Sequence, residues 1–206
     1  MNVSVSKQNI LNAALKLFST NGYEATGIEQ ITNEVGIKKA SFYSHFKSKQ
    51  ELLDTLIIEI TERYQVYAEL VQKNLENAEL NCNGTAMQTA EIVFNSIKCQ
   101  FEFLIYDSFF SMARNFLTIE QFRNPELASL QNKCEYIDAL NYNKKLIQYL
   151  VENGVLIDKG IDIMAYEFFS PIYVQFYHIQ KMPELKAEAM KILKEHINHF
   201  FTIFSK

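Results

Sequence analysis

The sequence contains few glycines and prolines, which break helices, and few cysteines, which cross-link small domains or bind metal ions in them. Its 206 residues include only 6 glycines and 3 prolines, too few for the frequent turns of a β-sandwich or barrel. Its three cysteines, Cys82, Cys99 and Cys134, lack metal-ligand spacing, so we expect free thiols in a reducing cytosol. Apolar residues still make up 48% of the chain, which suffices for a sizeable core and argues against disorder.

Other features that the sequence lacks leave several classes of function and location without support, so they are not predicted. No apolar run approaches the ~20 residues of a membrane span, and the opening residues do not resemble a signal peptide, so we expect a cytoplasmic protein without membrane contact. The sequence has no nucleophile–base spacing, glycine-rich phosphate loop or paired carboxylates, so it predicts neither an enzyme nor a bound cofactor. His196 and His199 lie three residues apart without further ligands, so no metal site is predicted.

Charge is distributed unevenly along the chain. The net charge is −4, but the first 50 residues hold six lysines and three glutamates and so carry +3. The rest of the chain therefore carries −7, and four of the six lysines lie between positions 38 and 49. A small basic end on an acidic body is typical of a protein that contacts DNA with one end only.

Apolar periodicity and capping residues predict an all-α chain. Ser6, Thr26 and Asn124 each precede a helical apolar pattern, and Ser48 with Glu51 has the pattern of a capping box. These signals predict a three-helix head, residues 1–50, joined through the fourth helix to a larger helical body, residues 51–206. A frayed helix end and a loop are expected at 74–84. The predicted helices span about 6–21, 27–35, 38–45, 48 to beyond 71, 85–105, 107–117, 125–153, 162–180 and 183–204.

Residues 27–46 have the layout of a helix-turn-helix. Gly36 supplies a sharp turn, and Ile31 and Phe42 are apolar anchors for the two helices. Small polar and basic residues occupy the outward positions of the second helix, where they let it lie deep in a major groove and donate to base edges and phosphates. The candidate base-reading residues are Lys38, Lys39, Ser41 and Ser44.

A longer pattern surrounds this motif from Ile10 to Leu53. It comprises Ala14, Leu17, Phe18, Gly22, Tyr23, Thr26, Ile28, Ile31, Val35, Gly36, Ile37, Phe42, Tyr43, His45, Phe46, Lys49, Leu52 and Leu53. In this combination the chain resembles the DNA-binding domain of the TetR/AcrR family of bacterial regulators. Two positions depart from the family pattern: Thr32 stands where alanine is usual, and Ser44 where an aromatic residue is frequent.

The resemblance implies phosphate contacts from the Thr26 side chain and amide, and from Tyr43, His45 and Lys49. Each residue also has a plainer structural interpretation. Thr26 is the predicted N-cap of the second helix in any case. Tyr43 would otherwise be a half-buried aromatic residue, and His45 a residue packed on the first helix. Lys49 would otherwise be a solvated cation.

The body is dense in aromatic residues between positions 85 and 122. The plain interpretation is that these residues form the core of a helical domain. Regulators of the family that the chain resembles, however, use this region as a pocket for a small, largely apolar effector. Asp107 and Arg114 lie two helical turns apart and form either polar groups of such a pocket or a structural ion pair. The candidate pocket residues are Phe94, Gln100, Phe103, Asp107, Phe110 and Arg114.

The last two helices carry apolar stripes that are rich for a free surface, and the resemblance implies a homodimer interface there. A two-fold dimer would present two recognition helices about 34–36 Å apart to successive major grooves of a palindrome. The predicted interface residues are Phe168, Ile172, Phe176, Leu193, Ile197, Phe200, Phe201 and Phe204.

Two functions remain open from the sequence. The first is a repressor that a small apolar or aromatic effector releases from double-stranded operator DNA, through a pivot of the fourth helix. The second is a DNA-binding interaction protein whose body docks another protein and senses no small molecule. A stabilising ligand in a thermal-shift screen favours the first, and a copurifying protein without such a ligand favours the second.

Overall fold

A computed structural model of the chain describes residues 7–77 and 85–206, including side chains except at 74–77. Within these ranges it contains helices and one isolated β-bridge, between Leu156 and Ser205, but no strand. The all-α prediction is therefore confirmed. The predicted cap at Ser6 and the predicted loop at 78–84 lie outside the described residues. The α-helices are α1 (Lys7–Asn21), α2 (Ile28–Val35), α3 (Lys39–Tyr43), α4 (Lys49–Asn77), α5 (Ala86–Tyr106), α6 (Ser108–Glu120), α7 (Pro125–Asn132), α8 (Asp138–Glu152), α9 (Ile161–Lys181) and α10 (Lys186–Phe204).

Several helices begin where the local sequence predicts. The Ser48 hydroxyl accepts the Glu51 amide at 3.1 Å, which confirms the predicted cap of α4. The Glu51 carboxylate accepts the amide of Lys47, one residue before the cap, at 2.7 Å. Asn124 accepts two amides of the first turn of α7 at 2.9 and 3.2 Å. These ends depend on neighbouring residues alone, which explains why the sequence predicts them.

The predicted helix over 125–153 is interrupted by a π-helical turn at Lys133–Ile137, between α7 and α8. Such a turn accommodates one extra residue and rotates the helix that follows. Tyr136 in this turn packs on α9, with ring centroids 5.7 Å from Phe169 and 6.0 Å from Tyr173. Because the interruption accompanies a contact with a distant helix, local periodicity does not reveal it.

The chain divides into two compact units, and the division differs from the predicted head and body. The first unit comprises Met1–Tyr67 and Asp107–Cys134, and the second comprises Ala68–Tyr106 and Glu135–Lys206. The boundary predicted at residue 50 instead marks the start of α4. In the first unit, α1 packs on α6, where the Phe18 and Phe116 ring centroids are 5.6 Å apart.

The core of the second unit consists of residues from α5, α8, α9 and α10. This corrects the predicted dimer interface. Phe168, Leu193, Ile197 and Phe201 are each 0% exposed within the single chain, and the side chains of Ile172 and Phe200 are also buried. Phe176 and Phe204 are partly buried against the same cluster. The apolar stripes of the last two helices are therefore largely internal core, and most of these eight residues have no surface left for a partner.

Candidate nucleic-acid interface

The short helix α3 is held on two buried aromatic rings. Phe42 and Phe46 are almost fully buried, with ring centroids 5.7 Å apart, and Ile31 of α2 is buried as well. Gly36 ends α2 with a φ of 76°, a left-handed backbone that favours glycine. The predicted turn and its two apolar anchors are confirmed.

Thr32, which departs from the family pattern, is accommodated inside α2. It is buried, its hydroxyl donates to the Glu29 carbonyl at 3.0 Å, and its own carbonyl accepts the Ile37 amide at 2.9 Å. A buried hydroxyl costs little once it is hydrogen-bonded. The substitution therefore leaves the helix-turn-helix intact.

The outward face of α3 is polar, basic and exposed. α3 itself covers only Lys39–Tyr43, and Lys38 precedes it as an extended N-cap residue, so the helix is shorter than the predicted 38–45. Tyr43 is 49% exposed, and the Ser44 hydroxyl donates to the Ser41 carbonyl at 2.7 Å. The structure brings the candidates Lys38, Lys39, Ser41, Tyr43 and Ser44 together on one exposed segment.

The lysines of this segment carry uncompensated positive charge. Lys38, Lys39 and Lys47 are exposed and take part in none of the ion pairs found among the described residues. By contrast, Lys16 of α1 pairs with Glu34. His45 is half-buried, and its amide donates to the Phe42 carbonyl at 2.9 Å. The three exposed lysines around α3 are thus available to a polyanion.

Thr26 does not cap α2, which corrects the sequence prediction. Gly27 is the N-cap residue, and its amide donates to the Gln30 side chain at 2.6 Å. Thr26 is fully buried; its hydroxyl donates to the Gly22 carbonyl at 2.8 Å and its amide to the Tyr23 carbonyl at 3.2 Å. Because both donors of Thr26 are used within the chain, the structure does not support its predicted phosphate contact.

Lys49, the first residue of α4, is half-buried and bound to the α1–α2 turn. Its ammonium donates to the carbonyls of Tyr23 and Thr26 at 2.9 and 3.2 Å, and it lies 4.0 Å from the centroid of the Tyr23 ring. An ammonium has three hydrogens, so these bonds leave one for a phosphate. The sequence did not predict this internal role, and the phosphate contact of Lys49 stays a prediction.

The same turn is held from α6 by a buried carboxylate. An oxygen of Glu120 accepts the Tyr23 amide at 2.8 Å, across 97 positions of sequence. Gly22 has a φ of 81°, and a Cβ at this position would lie 2.9 Å from that oxygen. The sequence indicated Gly22 as a helix end, but nothing in it pointed to Glu120, because the contact exists only once α6 packs on α1.

The six candidate pocket residues are divided between the two units. Phe94 is buried in the core of the second unit, whereas Phe103 is 45% exposed, and the pocket assignment of both residues stays a prediction. Gln100 hydrogen-bonds Ser96 at 3.4 Å and also bonds the hydroxyl of Tyr142. Burial raises the pKa of Tyr142, and the hydrogen bonds of its hydroxyl with Gln100 and with Ser96 oppose that shift.

The α6 candidates belong to the first unit. Asp107 is the N-cap of α6, where one carboxylate oxygen accepts the amides of Phe109 and Phe110 at 2.9 and 3.1 Å. This is a structural role, and the predicted contact of Asp107 with an effector stays a prediction. Phe110 is buried, with its ring centroid 5.0 Å from that of Tyr64, and Arg114 is 1% exposed.

His196 packs inside the second unit. Its Nε2 lies 2.9 Å from the Phe168 carbonyl. Burial lowers the pKa of His196; the bond to Phe168 opposes this shift, and His199 adds to it. In residues 7–77 and 85–206 no group of three His, Cys, Asp or Glu side chains is placed to hold a metal ion. Over the same ranges, no helix has the length and apolar character needed to cross a membrane.

Comparison with known proteins gives the same picture for the head. Residues 10–56 match the family model described as bacterial regulatory proteins, tetR family. The uncharacterized HTH-type transcriptional regulator YerO of Bacillus subtilis is 32% identical over 96 residues, 47% of this chain and 30% of that protein. The icaADBC biofilm operon negative transcriptional regulator IcaR of Staphylococcus epidermidis is 44% identical over 46 residues, 22% of this chain and 25% of that protein. The match thus spans less than a third of either relative.

A solved structure extends the similarity to the whole fold. The transcriptional regulator FadR of Bacillus subtilis, in complex with stearoyl-CoA, superposes with a TM-score of 0.58. The similarity covers 95% of this chain and 97% of that chain at 18% identity, which shows a common fold. The helix-turn-helix geometry therefore agrees with the match of residues 10–56 to the tetR family model, and the chain as a whole shares the all-α fold of a solved regulator.

Proposed function

We propose that the chain is a transcriptional regulator that binds double-stranded DNA with α3. The observation that carries this proposal is the set of exposed lysines without ion pairs, Lys38, Lys39 and Lys47, beside a helix held on buried Phe42. Cations on an otherwise acidic protein attract the phosphate backbone at one end, and the small residues of α3 let it approach base edges. No reaction is assigned to the chain, and a DNA partner implies a cytoplasmic location.

Salt dependence tests the DNA interface directly. A duplex enriched from a random library would be titrated by fluorescence anisotropy at several salt concentrations. Lys39→Gln removes one cation, so we expect the slope of log affinity against log salt to fall by about 1. Lys159→Gln makes the same change at an exposed lysine of the second unit and should leave the slope unchanged. Equal slopes for both variants would contradict the proposal.

We further propose a homodimer formed by the outward faces of α9 and α10. Ile163, Tyr166, Val174 and Tyr177 are exposed and spaced by 3, 8 and 3 residues, which places them on one side of α9. Ile192 and Ile203 are exposed on α10. Exposed apolar stripes of this kind mark interaction surfaces, and a two-fold partner would let two α3 helices read a palindrome.

Analytical ultracentrifugation tests this face. Tyr166→Asp places a charge in the stripe and should shift the chain from dimer to monomer without unfolding it. Ile58→Asp is the matched control, because Ile58 is also exposed but lies on α4. A dimer that survives Tyr166→Asp and dissociates with Ile58→Asp would place the interface elsewhere.

We propose that the chain acts as a repressor released by an apolar effector in the second unit. IcaR is a negative regulator, and FadR, which shares the fold, was solved with stearoyl-CoA. In this chain Ser96, Gln100 and Tyr142 form a polar cluster beside the apolar core, a combination that suits a largely apolar ligand with one polar group.

Stearoyl-CoA and stearate are suitable probes for this site. Either should raise the melting temperature and weaken DNA binding, since a ligand shifts the equilibrium only when it prefers the state that does not bind DNA. Tyr142→Phe removes one hydroxyl from the cluster and should weaken the effect of the probe. Stabilisation without any change in DNA affinity would argue against release by the effector.

A further inference from the structure

A cleft of about 570 Å³ opens within the first unit, where α1, the end of α2, α4 and α6 meet. Its apolar lining includes Phe109 and Met112 of α6 and Val35 of α2, and its charged lining includes Lys16 and Arg63. The cleft lies entirely in the first unit and shares no residue with the Ser96–Gln100–Tyr142 cluster of the second. Its volume falls within the range of small-molecule sites, about 300–1,000 Å³.

Arg63 is held in place but keeps donors for a ligand. Its guanidinium carbon lies 3.9 Å from the centroid of the Phe109 ring, and one terminal nitrogen lies 2.6 Å from Glu59. The Gln8 amide nitrogen lies 2.9 and 3.1 Å from the two oxygens of the same carboxylate. A guanidinium has five N–H groups in a rigid plane, so one ion pair leaves most of them unused. Arg63 is therefore positioned before any ligand arrives.

The free donors of Arg63 favour a planar carboxylate. Lys16 pairs with Glu34 and Arg63 pairs with Glu59, so the cleft has no excess charge, and a ligand is recognised by the remaining N–H groups of Arg63. A planar carboxylate matches the fork that these N–H groups form. The apolar side chains beside Arg63 provide contact for a hydrocarbon or aromatic group.

We propose that this cleft binds a small organic carboxylate with an apolar body. The carboxylate accepts hydrogen bonds from Arg63, and the apolar body packs on Phe109 and Met112. Such a ligand would contact α1 and α2 of the head directly, unlike an effector in the second unit. The binding itself does not depend on whether the chain binds DNA.

The full-length chain can be tested with 4-phenylbutyrate as the probe and neutral 4-phenylbutyramide as the control ligand. The methyl carbon of Met112 gives a local NMR signal, assigned through Met112→Leu among the 6 methionines of the chain. We expect saturable shifts of that signal with the carboxylate and weak or no shifts with the amide. The loss of charge-assisted hydrogen bonds in Arg63→Gln should weaken binding about tenfold or more.

Two further variants separate binding in the cleft from binding elsewhere. Asn12→Trp fills the cleft from an exposed rim position of α1 and should abolish the Met112 shift. Arg123→Gln makes the same chemical change as Arg63→Gln, at an exposed arginine outside the cleft, and should leave binding unchanged. The absence of saturable binding would overturn the proposal. So would binding that Asn12→Trp and Arg63→Gln leave unchanged.

Discussion

The α2–α3 segment and the α9–α10 pair are both rich in apolar residues, but the sequence reveals burial differently in each. In α2–α3 the apolar residues Ile31, Phe42 and Phe46 are buried. The exposed side chains around them are polar or basic, apart from the small Ala40 and the amphipathic Tyr43. A single apolar side leaves only one way to pack each helix. The exposed side of the head can therefore be identified from the sequence as a binding surface.

In α9 and α10 more than one side of the helix is apolar. Phe168 is fully buried within the chain, while Tyr166 and Val174 on the same helix are 45% and 46% exposed. An apolar stripe indicates that its residues are shielded from water. It does not indicate whether residues of the same chain or of a partner chain bury them. The difference teaches that aromatic density predicts a core more safely than an interface.

The largest expected effect is a loss of stability on replacing Phe168, which tests whether the apolar stripe of α9 is core or interface. Phe168→Ala removes a fully buried ring that packs on Phe200 at 4.9 Å between centroids, and should cost about 3–5 kcal/mol in the free energy of unfolding. Tyr166→Ala on the same helix should change the stability of the isolated chain by about 0.5 kcal/mol or less. Urea denaturation at low protein concentration measures both. A Phe168→Ala chain with wild-type stability but no dimer would restore the original interface assignment.

The fold was predictable wherever neighbouring residues decide it. The Ser48–Glu51 cap and the Gly36 turn follow from local chemistry, and the structure confirms them. The π-helical turn at Lys133–Ile137 and the Glu120 contact depend on helices distant in sequence. Thr26 was misplaced by one position, because a buried threonine and an N-cap threonine look the same in a sequence. Lys49 likewise gave no sign of its internal carbonyl partners.

Lys49 offers the second prediction, because its internal bonds compete with its predicted DNA contact. Lys49→Met removes two charge-assisted hydrogen bonds to the α1–α2 turn and should destabilise the first unit by about 1.5 kcal/mol. It should also weaken DNA binding by loosening the α1–α2 turn. If Lys49 acts only within the chain, the salt slope stays at its wild-type value; a slope reduced by about 1 would instead show a phosphate contact. Lys47→Met is the control for stability alone, since Lys47 is exposed and makes no ion pair in the described structure.

Tyr43 and Phe42 allow an exposed and a buried aromatic residue to be compared within α3 itself. Tyr43→Ala should reduce DNA affinity at least tenfold, about 1.4 kcal/mol, with little change in the melting temperature, because Tyr43 is 49% exposed. Phe42→Ala should also reduce DNA binding, but through loss of the core that holds α3, and so with a clear loss of stability. Anisotropy and thermal denaturation of the two variants separate these causes. Unchanged affinity in Tyr43→Ala would remove Tyr43 from the interface.

The smallest effect is a pH dependence of the second unit at His196. The ordinary histidine pKa is 6.5, and burial between α9 and α10 lowers that of His196. Between the two values the unfolded chain binds more protons than the folded chain, so the free energy of unfolding decreases as pH falls through 6.5 and is unaffected well above it. His196→Gln keeps an N–H for the Phe168 carbonyl but does not titrate.

Urea denaturation at about pH 7.5 and about pH 5.5 isolates this contribution. Other groups also titrate in this range, so the informative quantity is the difference between variants and not the total loss of stability. His196→Gln should lose less stability than the wild type on acidification, whereas His178→Gln, a change at an exposed histidine of α9, should lose as much as the wild type. If both variants followed the wild type, His196 would not be the buried neutral base that its contacts indicate. A clear separation would show that the stability of the aromatic core of α9 and α10 depends on the charge of a single residue.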